Sequence, residues 1–246
     1  MADVLNHPLL AQRYFFPSGQ LPKNRVDVEV DGATLACAAH PTEGERTVVF
    51  FHGNGETTGN WQGTLDEIFN RLGWGLFLAE YRGYGGSTGE PHLGRMLDDV
   101  GAIIDAAGPP ENLVVMGRSV GSIFALEAVQ RFPNIAGLII ESGIADPLER
   151  ILLRVSPQEI DATDADFEQA EQRLNHEGKM SGYIGPSLVL HTRHDGLVDH
   201  SHAERLHAWA GGQSRLRTFE HGNHNSILFE NAPDYLQEIA DFLHAL

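Results

Sequence analysis

The sequence predicts an α/β fold built on a mostly parallel sheet with helices on both faces. Short continuous apolar runs alternate along the chain with segments whose apolar residues recur at helical spacing. Continuous apolar runs are typical of strands covered on both faces, and strands that alternate with helices favour parallel pairing. A hairpin signal, Asp31-Gly32, lies near the start of the chain and adds an antiparallel pair before the alternation begins.

Eight segments are predicted to be strands. Two flank the hairpin turn, five are short apolar runs, and the last is a weaker candidate. In order they span residues 26–30, 33–39, 47–51, 74–79, 113–116, 138–140, 187–190 and 216–219. Helical spacing of apolar residues predicts helices within 65–72, 96–104, 123–129 and 235–243. A capping-box pattern that begins at Ser201 predicts a further helix, which runs to Trp209.

One segment, residues 144–183, interrupts this alternation. About forty residues separate two strands there, far more than a crossover needs. The segment is acidic, and residues 167–174 are predicted to be helical. We interpret it as an insertion above the C-terminal edge of the sheet, a candidate lid; the alternative is a long surface crossover without a role. With this insertion inside it, the whole chain 1–246 is predicted to be a single domain.

The charge balance excludes several kinds of partner. The chain has 17 Lys plus Arg against 34 Asp plus Glu, a net charge of −17. Nucleic acids and anionic membranes both select clustered positive charge, so neither is expected to bind. The same balance mildly disfavours a polyanionic substrate, because the sequence contains no evident local basic patch.

Further features favour a cytoplasmic location without integral membrane association. No apolar run approaches the roughly 20 residues of a membrane helix. The first residues contain neither the basic nor the apolar region of a signal peptide. The single cysteine, Cys37, has no partner for an internal disulfide, and its apolar surroundings predict a small core residue.

Two G-x-S-x-G pentads could supply a nucleophilic serine. This pattern needs a sharp turn from strand to helix, in which the serine is exposed at the sheet edge. The pentad around Ser87 lies in a glycine-rich loop with no adjoining strand or helix. The pentad around Ser119 directly follows a predicted strand and opens a predicted helix. Ser119 is therefore the predicted nucleophile.

An acid and then a histidine should follow the nucleophile in the chain. Asp195 comes just after the predicted strand 187–190, at the edge where open α/β sheets place their sites. His224 lies in the loop after the last strand. We predict that His224 acts as general base towards Ser119, and that Asp195 fixes the tautomer of the imidazole.

Other residues compete for these roles. Glu141 also ends a strand and is an alternative acid, whereas Asp199 is better placed to serve the start of the helix at Ser201. Four histidines surround Asp195, but the sequence has no H-E-x-x-H motif or Cys/His pairing, so solvated or loop-packing histidines are expected there rather than a metal site.

Two backbone N–H groups are candidates for an oxyanion hole. The first belongs to Val120, directly after the nucleophile. The second belongs to Asn54, in the glycine-containing loop after the third strand, where glycine permits a close approach of backbone to substrate. A plain glycine-rich turn is the alternative interpretation of that loop.

Five motifs stand in a fixed order along the chain. They are His52-Gly53-Asn54-Gly55, Tyr81-Arg82-Gly83-Tyr84-Gly85-Gly86-Ser87, Gly117-Arg118-Ser119-Val120-Gly121, His194-Asp195-Gly196-Leu197-Val198 and Gly222-Asn223-His224-Asn225. Together they resemble the α/β-hydrolase superfamily, and their combination is similar to its small intracellular serine hydrolases with an HGNG loop and a GRSxG nucleophile elbow. The resemblance covers nearly the whole chain from Val26 onward.

The resemblance implies an eight-stranded sheet whose second strand is antiparallel, a Ser-Asp-His triad and no cofactor. Ser119 separates the chain from the dehalogenase and epoxide-hydrolase branches, which use aspartate at this position. We therefore expect a serine hydrolase that cleaves a carboxylic ester or thioester of a small-molecule or acyl substrate, through an acyl-enzyme on Ser119. The alternatives are an amidase or peptidase with the same triad, and a non-catalytic ligand-binding protein on the hydrolase fold.

Overall fold

A computed structural model describes residues 3–246, which contain one eight-stranded sheet. All eight predicted strands are present, and several are extended by one or two residues. The strands are β1 (Arg25–Val30), β2 (Ala33–His40), β3 (Thr47–Phe51), β4 (Gly75–Ala79), β5 (Leu113–Arg118), β6 (Gly137–Glu141), β7 (Ser187–Thr192) and β8 (Ser214–Phe219). The predicted mostly parallel sheet is confirmed.

The order of strands across the sheet is β1-β2-β4-β3-β5-β6-β7-β8. β2 runs antiparallel to both of its neighbours, and every pairing from β4 to β8 is parallel. The carboxyl ends of β3, β5, β6, β7 and β8 therefore meet at one edge, and the loops that carry the predicted site residues begin there.

Helices cover both faces of the sheet. They are α1 (Pro8–Tyr14), α2 (Thr58–Trp61), α3 (Leu65–Arg71), α4 (Leu93–Ala107), α5 (Gly121–Arg131), α6 (Pro147–Leu152), α7 (Asp164–Arg173), α8 (His176–Gly182), α9 (Ser201–Ala208), α10 (Ile227–Glu230) and α11 (Ala232–His244), with 3₁₀ turns at Val4–Asn6, Pro110–Asn112 and Pro157–Ile160. Successive residues of β5 point to opposite faces, so Val115 packs with α4 and α5 while Val114 packs with α3 and α11. Within residues 3–246 no helix combines the length and apolar character needed to cross a membrane.

The predicted capping box at Ser201 is wrong. Helix α9 begins at Ser201 itself, with His200 at the N-cap and no side-chain cap. The backbone N–H of Ser201 instead donates to Oδ1 of Asp199 at 3.0 Å. The expected role of Asp199 at this helix start is confirmed.

Residues 144–183 form two parts that differ in how they are held. The later part, with α7 and α8, is tied to α5 through Glu127, whose buried carboxylate accepts from Lys179 at 2.7 Å and from Arg173 at 2.6 Å. The earlier part, with α6, faces the edge of the sheet where the strands end. That this segment acts as a lid stays a prediction.

His176 fixes the junction between these parts. Its buried ring donates from Nδ1 to the carbonyl of Ile144 at 2.7 Å. Burial, together with the nearby charge of Lys179, lowers the pKa of His176 from its ordinary 6.5 to about 3. In the native protein the ring is therefore neutral over a range in which it is protonated in the unfolded chain.

We predict that His176 makes stability depend on pH between about 6.5 and 3. The unfolded chain binds the extra proton there, so the free energy of unfolding falls as the pH decreases through this range, by up to about 1.4 kcal/mol per unit. Urea unfolding of wild type and His176→Gln from pH 7 to 4.5 measures this slope, which should be shallower in the variant. The exposed His244→Gln is the matched control, and equal slopes in wild type and His176→Gln would contradict the prediction.

Candidate active site

Ser119 occupies a sharp turn between β5 and α5. Its φ of +54° lies in the left-handed region, which is unfavourable for a residue with a side chain. The backbone N–H of Ser119 donates to the carbonyl of Glu141 on β6 at 2.9 Å, which holds the turn against the sheet. The turn brings Ser119 to the carboxyl edge of the sheet, where the residue is 9 % exposed to solvent.

The two glycines of the pentad are required by close contacts. A Cβ on Gly117 would lie 2.7 Å from the Cβ of Ala125, one turn into α5. A Cβ on Gly121 would lie 2.0 Å from the carbonyl oxygen of Phe51, at the end of β3. The helix can follow the strand this closely only because both side chains are absent.

Ser119, His224 and Asp195 form a continuous hydrogen-bonded chain. Nε2 of His224 lies 2.9 Å from Oγ of Ser119, and Nδ1 of His224 lies 2.7 Å from Oδ2 of Asp195. Because a carboxylate only accepts hydrogen bonds, Nδ1 carries the proton and Nε2 is free to accept one from Ser119. The three residues that the sequence analysis selected are thus brought together.

The carboxylate of Asp195 is held in place and kept ionised. Its Oδ1 accepts from the backbone N–H groups of Leu197 at 2.9 Å and Val198 at 2.8 Å. Burial alone would raise the pKa of Asp195, but the hydrogen bond and charge of His224 and the two backbone donors together lower it. The group facing His224 is therefore a carboxylate at neutral pH.

The competing candidates have other contacts. Oγ of Ser87 accepts from the backbone N–H of Ala36 at 2.8 Å and so serves β2. The carboxylate of Glu141 accepts from the hydroxyl of Tyr235 and lies 2.9 Å from Nε of Arg118. Burial raises the pKa of Glu141 although Arg118 opposes that shift.

Three of the four histidines near Asp195 bond to other parts of the chain. The rings of His191, His200 and His202 bond respectively to the carbonyl of Val198, the hydroxyl of Thr218 and the N–H of Ala145. Among the described residues no group of three or more His, Cys, Asp or Glu side chains is arranged to hold a metal ion.

Arg118 connects the loops of the site, a role that the sequence analysis did not find. Its Nη1 donates to Glu56 at 2.6 Å, its Nε pairs with Glu141, and its Nη2 donates to the carbonyl of His224 at 2.8 Å. Glu56 in turn accepts from the backbone N–H of Gly53. The sequence contains one signal for this role: Arg118 is a charged residue at the end of an otherwise apolar strand, directly before Ser119.

Asn54 and Val120, whose backbone N–H groups are the predicted oxyanion hole, line the same cavity as Ser119. Within residues 3–246 neither N–H donates a hydrogen bond to the protein. The side chain of Asn54 is fixed by the carbonyl of Tyr14 at 2.5 Å and by the hydroxyl of Tyr84 at 2.8 Å. Tyr14 ends α1, a helix that the sequence analysis did not predict.

The cavity has a volume of about 450 Å³. Ser119 and His224 line it, as do Arg150 of α6 and Leu153 at the C-cap of that helix. Ile144, which precedes α6, lines it as well. This volume admits a small organic ligand.

A family model described as "Serine aminopeptidase, S33" matches residues 42–157, a stretch that includes Ser119. Human alpha/beta hydrolase domain-containing protein 17B is 23% identical over 202 residues, which cover 80% of this chain and 66% of that protein. The chain spans between 57% and 69% of the length of the curated relatives that it matches.

Solved structures share the whole architecture. Est1E from Butyrivibrio proteoclasticus, solved with ferulic acid bound, superposes with a TM-score of 0.75 at 18% identity and covers 89% of this chain and 98% of its own. The esterase EaEST from Exiguobacterium antarcticum gives a TM-score of 0.65 at 18% identity, with 92% and 100% covered. This likeness shows the predicted fold.

We predict that Arg118→Met lowers the free energy of unfolding at pH 7 by about 3–5 kcal/mol, because it leaves Glu141 buried without its cation. The double variant Arg118→Met/Glu141→Gln should recover part of this loss, since the uncompensated charge is gone. Arg193→Met, which breaks an exposed pair with Glu220, is the control and should change stability by at most about 1 kcal/mol. Urea unfolding measures all three, and a double variant no more stable than Arg118→Met would refute the explanation.

Proposed function

We propose that this chain, which belongs to the α/β-hydrolase superfamily, is a serine hydrolase that cleaves a carboxylic ester or thioester through an acyl-enzyme on Ser119. One observation carries the proposal: the hydrogen-bonded chain from Oγ of Ser119 through His224 to Asp195. Its geometry suits nucleophilic attack, since the serine lies within reach of a base that a carboxylate orients.

In the acylation step, Oγ of Ser119 attacks the carbonyl carbon while Nε2 of His224 takes the hydroxyl proton. The resulting imidazolium is stabilised by the carboxylate of Asp195. The negative charge that develops on the carbonyl oxygen is stabilised by the N–H groups of Asn54 and Val120. When the tetrahedral intermediate collapses, the bond to the alcohol or thiol breaks and His224 protonates the leaving group.

Deacylation repeats these steps with water. His224 takes a proton from water, the oxygen attacks the acyl carbon, and the same two N–H groups stabilise the oxyanion. The bond between the acyl carbon and Oγ then breaks, Ser119 regains its proton from His224, and the carboxylic acid leaves. Every group needed for both half-reactions belongs to this chain, so the proposal includes no cofactor.

The proposal extends to the surroundings of the site. Residues 1–246 act as a single domain, and residues 144–183 shape the acyl pocket, which is supported by the contact of α6 with the cavity. A cytoplasmic location is supported by the single cysteine, Cys37, which is buried and leaves no internal disulfide to form.

A second candidate is cleavage of an amide by the same residues. The description of the matching family model, a serine aminopeptidase, favours it. The same attack on an amide requires His224 to protonate an amine as it leaves. Matched ester and amide substrates that share one acyl group decide between the two by their kcat/KM values.

We predict that a fluorophosphonate probe forms one adduct with wild type and with Ser87→Ala, and none with Ser119→Ala. Intact-protein mass spectrometry counts the adducts, and turnover of activated short-chain esters should follow the same pattern. Ser87→Ala controls for the other pentad, and thermal unfolding verifies that each variant is folded. An adduct on folded Ser119→Ala, or none on wild type, would remove the basis of the proposal.

We further predict that Asp195→Asn lowers kcat for an activated ester by about 10²–10⁴-fold, because His224 loses the carboxylate that fixes its tautomer and stabilises its charged form. Asp199→Asn is the matched control, since it makes the same substitution four residues away and keeps an oxygen to accept from Ser201. Steady-state kinetics measures both variants. A decrease of similar size in Asp199→Asn would assign the effect to the loop as a whole.

A further inference from the structure

The candidate cavity contains two arginines whose charge is not balanced. Both Arg150, in the last turn of α6, and Arg154, two residues beyond the end of that helix, line it. Within residues 3–246 neither guanidinium forms an ion pair, donates a hydrogen bond or lies over an aromatic ring. The third arginine of the cavity, Arg118, is neutralised by Glu56 and Glu141.

Such unpaired arginines are uncommon in this protein. In the part of the chain that the structure describes, ten arginines form ion pairs with carboxylates. Two more, Arg46 and Arg205, lie over tryptophan rings. Acidic residues outnumber basic ones two to one, so partners are plentiful elsewhere on the surface. The sequence shows no evident basic patch because the local charge arises from only two residues.

The two arginines lie at the cavity without a partner for either charge among the described residues. Like charges this close along the chain repel each other. The backbone around them is nevertheless fixed: the carbonyl of Arg154 accepts from Nη1 of Arg13 at 3.3 Å, and Arg13 pairs with Glu159 at 2.8 Å. The structure therefore keeps two positive charges together where a ligand would lie.

Apolar side chains lie beside these charges. Phe16, Leu153 and Leu197 line the same cavity and are 52%, 68% and 55% exposed. Apolar side chains that line a cavity can contact the apolar part of a ligand. A ligand that satisfies both features has an apolar part and a negatively charged part.

We propose that Arg150 and Arg154 bind a carboxylate or phosphate group of the substrate, so that the site takes an anionic ester or thioester with an apolar part. The inference rests on the proposed function of Ser119. The planar guanidinium matches both anions in geometry and stays charged at all physiological pH values. Because a chain of charge −17 repels anions at long range, an anionic substrate requires local positive charge at the site.

The test compares two activated esters of equal acyl length. The 4-nitrophenyl monoester of adipic acid ends in a carboxylate, and 4-nitrophenyl hexanoate ends in a methyl group. The measured quantity is the ratio of kcat/KM for the adipate ester to kcat/KM for the hexanoate ester, in wild type, Arg150→Gln, Arg154→Gln and the double variant. A third ester with a terminal phosphate distinguishes a phosphate site from a carboxylate site.

The ratio is expected to fall about tenfold in each single variant and about a hundredfold in the double variant, mainly through KM. Added salt should lower the ratio in wild type. Arg95→Gln is the matched control, since Arg95 is an exposed arginine on α4 without an ion pair among the described residues. An equal ratio in wild type and the double variant would overturn the inference.

A binding measurement separates this inference from the proposed function. Titration calorimetry records the affinity of the adipate monoester for Ser119→Ala, with and without Arg150→Gln/Arg154→Gln. If the adipate monoester binds more tightly when both arginines are present, but the wild type hydrolyses no ester, the anion site is supported and hydrolysis is rejected. If the wild type hydrolyses the hexanoate ester, but the affinity for the adipate monoester is the same with and without the two arginines, hydrolysis is supported and the anion site is rejected.

Discussion

The structure depends on the close approach of α5 to the end of β3. Gly121 lies so near the carbonyl of Phe51 that no side chain fits between them, and Gly117 is equally confined on the other side of the turn. This packing forces Ser119 into a left-handed conformation, which the hydrogen bond from its N–H to Glu141 holds in place. Since the turn is fixed by the core beneath it, the position of Oγ is a property of the sheet.

The parallel sheet then supplies the remaining groups. The loops after β7 and β8 start at the same edge as the turn after β5, which brings Asp195 and His224 to Ser119 from distant parts of the sequence. A largely buried set of charges connects these loops. Arg118 ties the carbonyl of His224 to Glu141 and, through Glu56, to the loop of Asn54.

The sequence was sufficient for the strands and for the residues that meet at Ser119. A strand that is buried on both faces appears in the sequence as a continuous apolar run, which is a local pattern. The motif around Ser119 likewise comes with its own strand and helix. Arg118 as a connection between loops was not predictable, because its partners lie 62 and 106 residues away. The capping box predicted at Ser201 is wrong for a different reason. Asp199 and Ser201 are both residue types that cap helices, and the sequence alone does not decide between neighbouring helix starts.

The two parts of residues 144–183 are held by separate sets of contacts. The later part is fastened to α5 by Glu127, Lys179 and Arg173, whereas the earlier part presents side chains such as Leu153 to the cavity. Because different contacts hold the two parts, we expect that substitutions in the earlier part change which ligands are accepted while the support of α5 stays intact. Selectivity and stability are thus divided between separate sets of side chains within one segment of the chain.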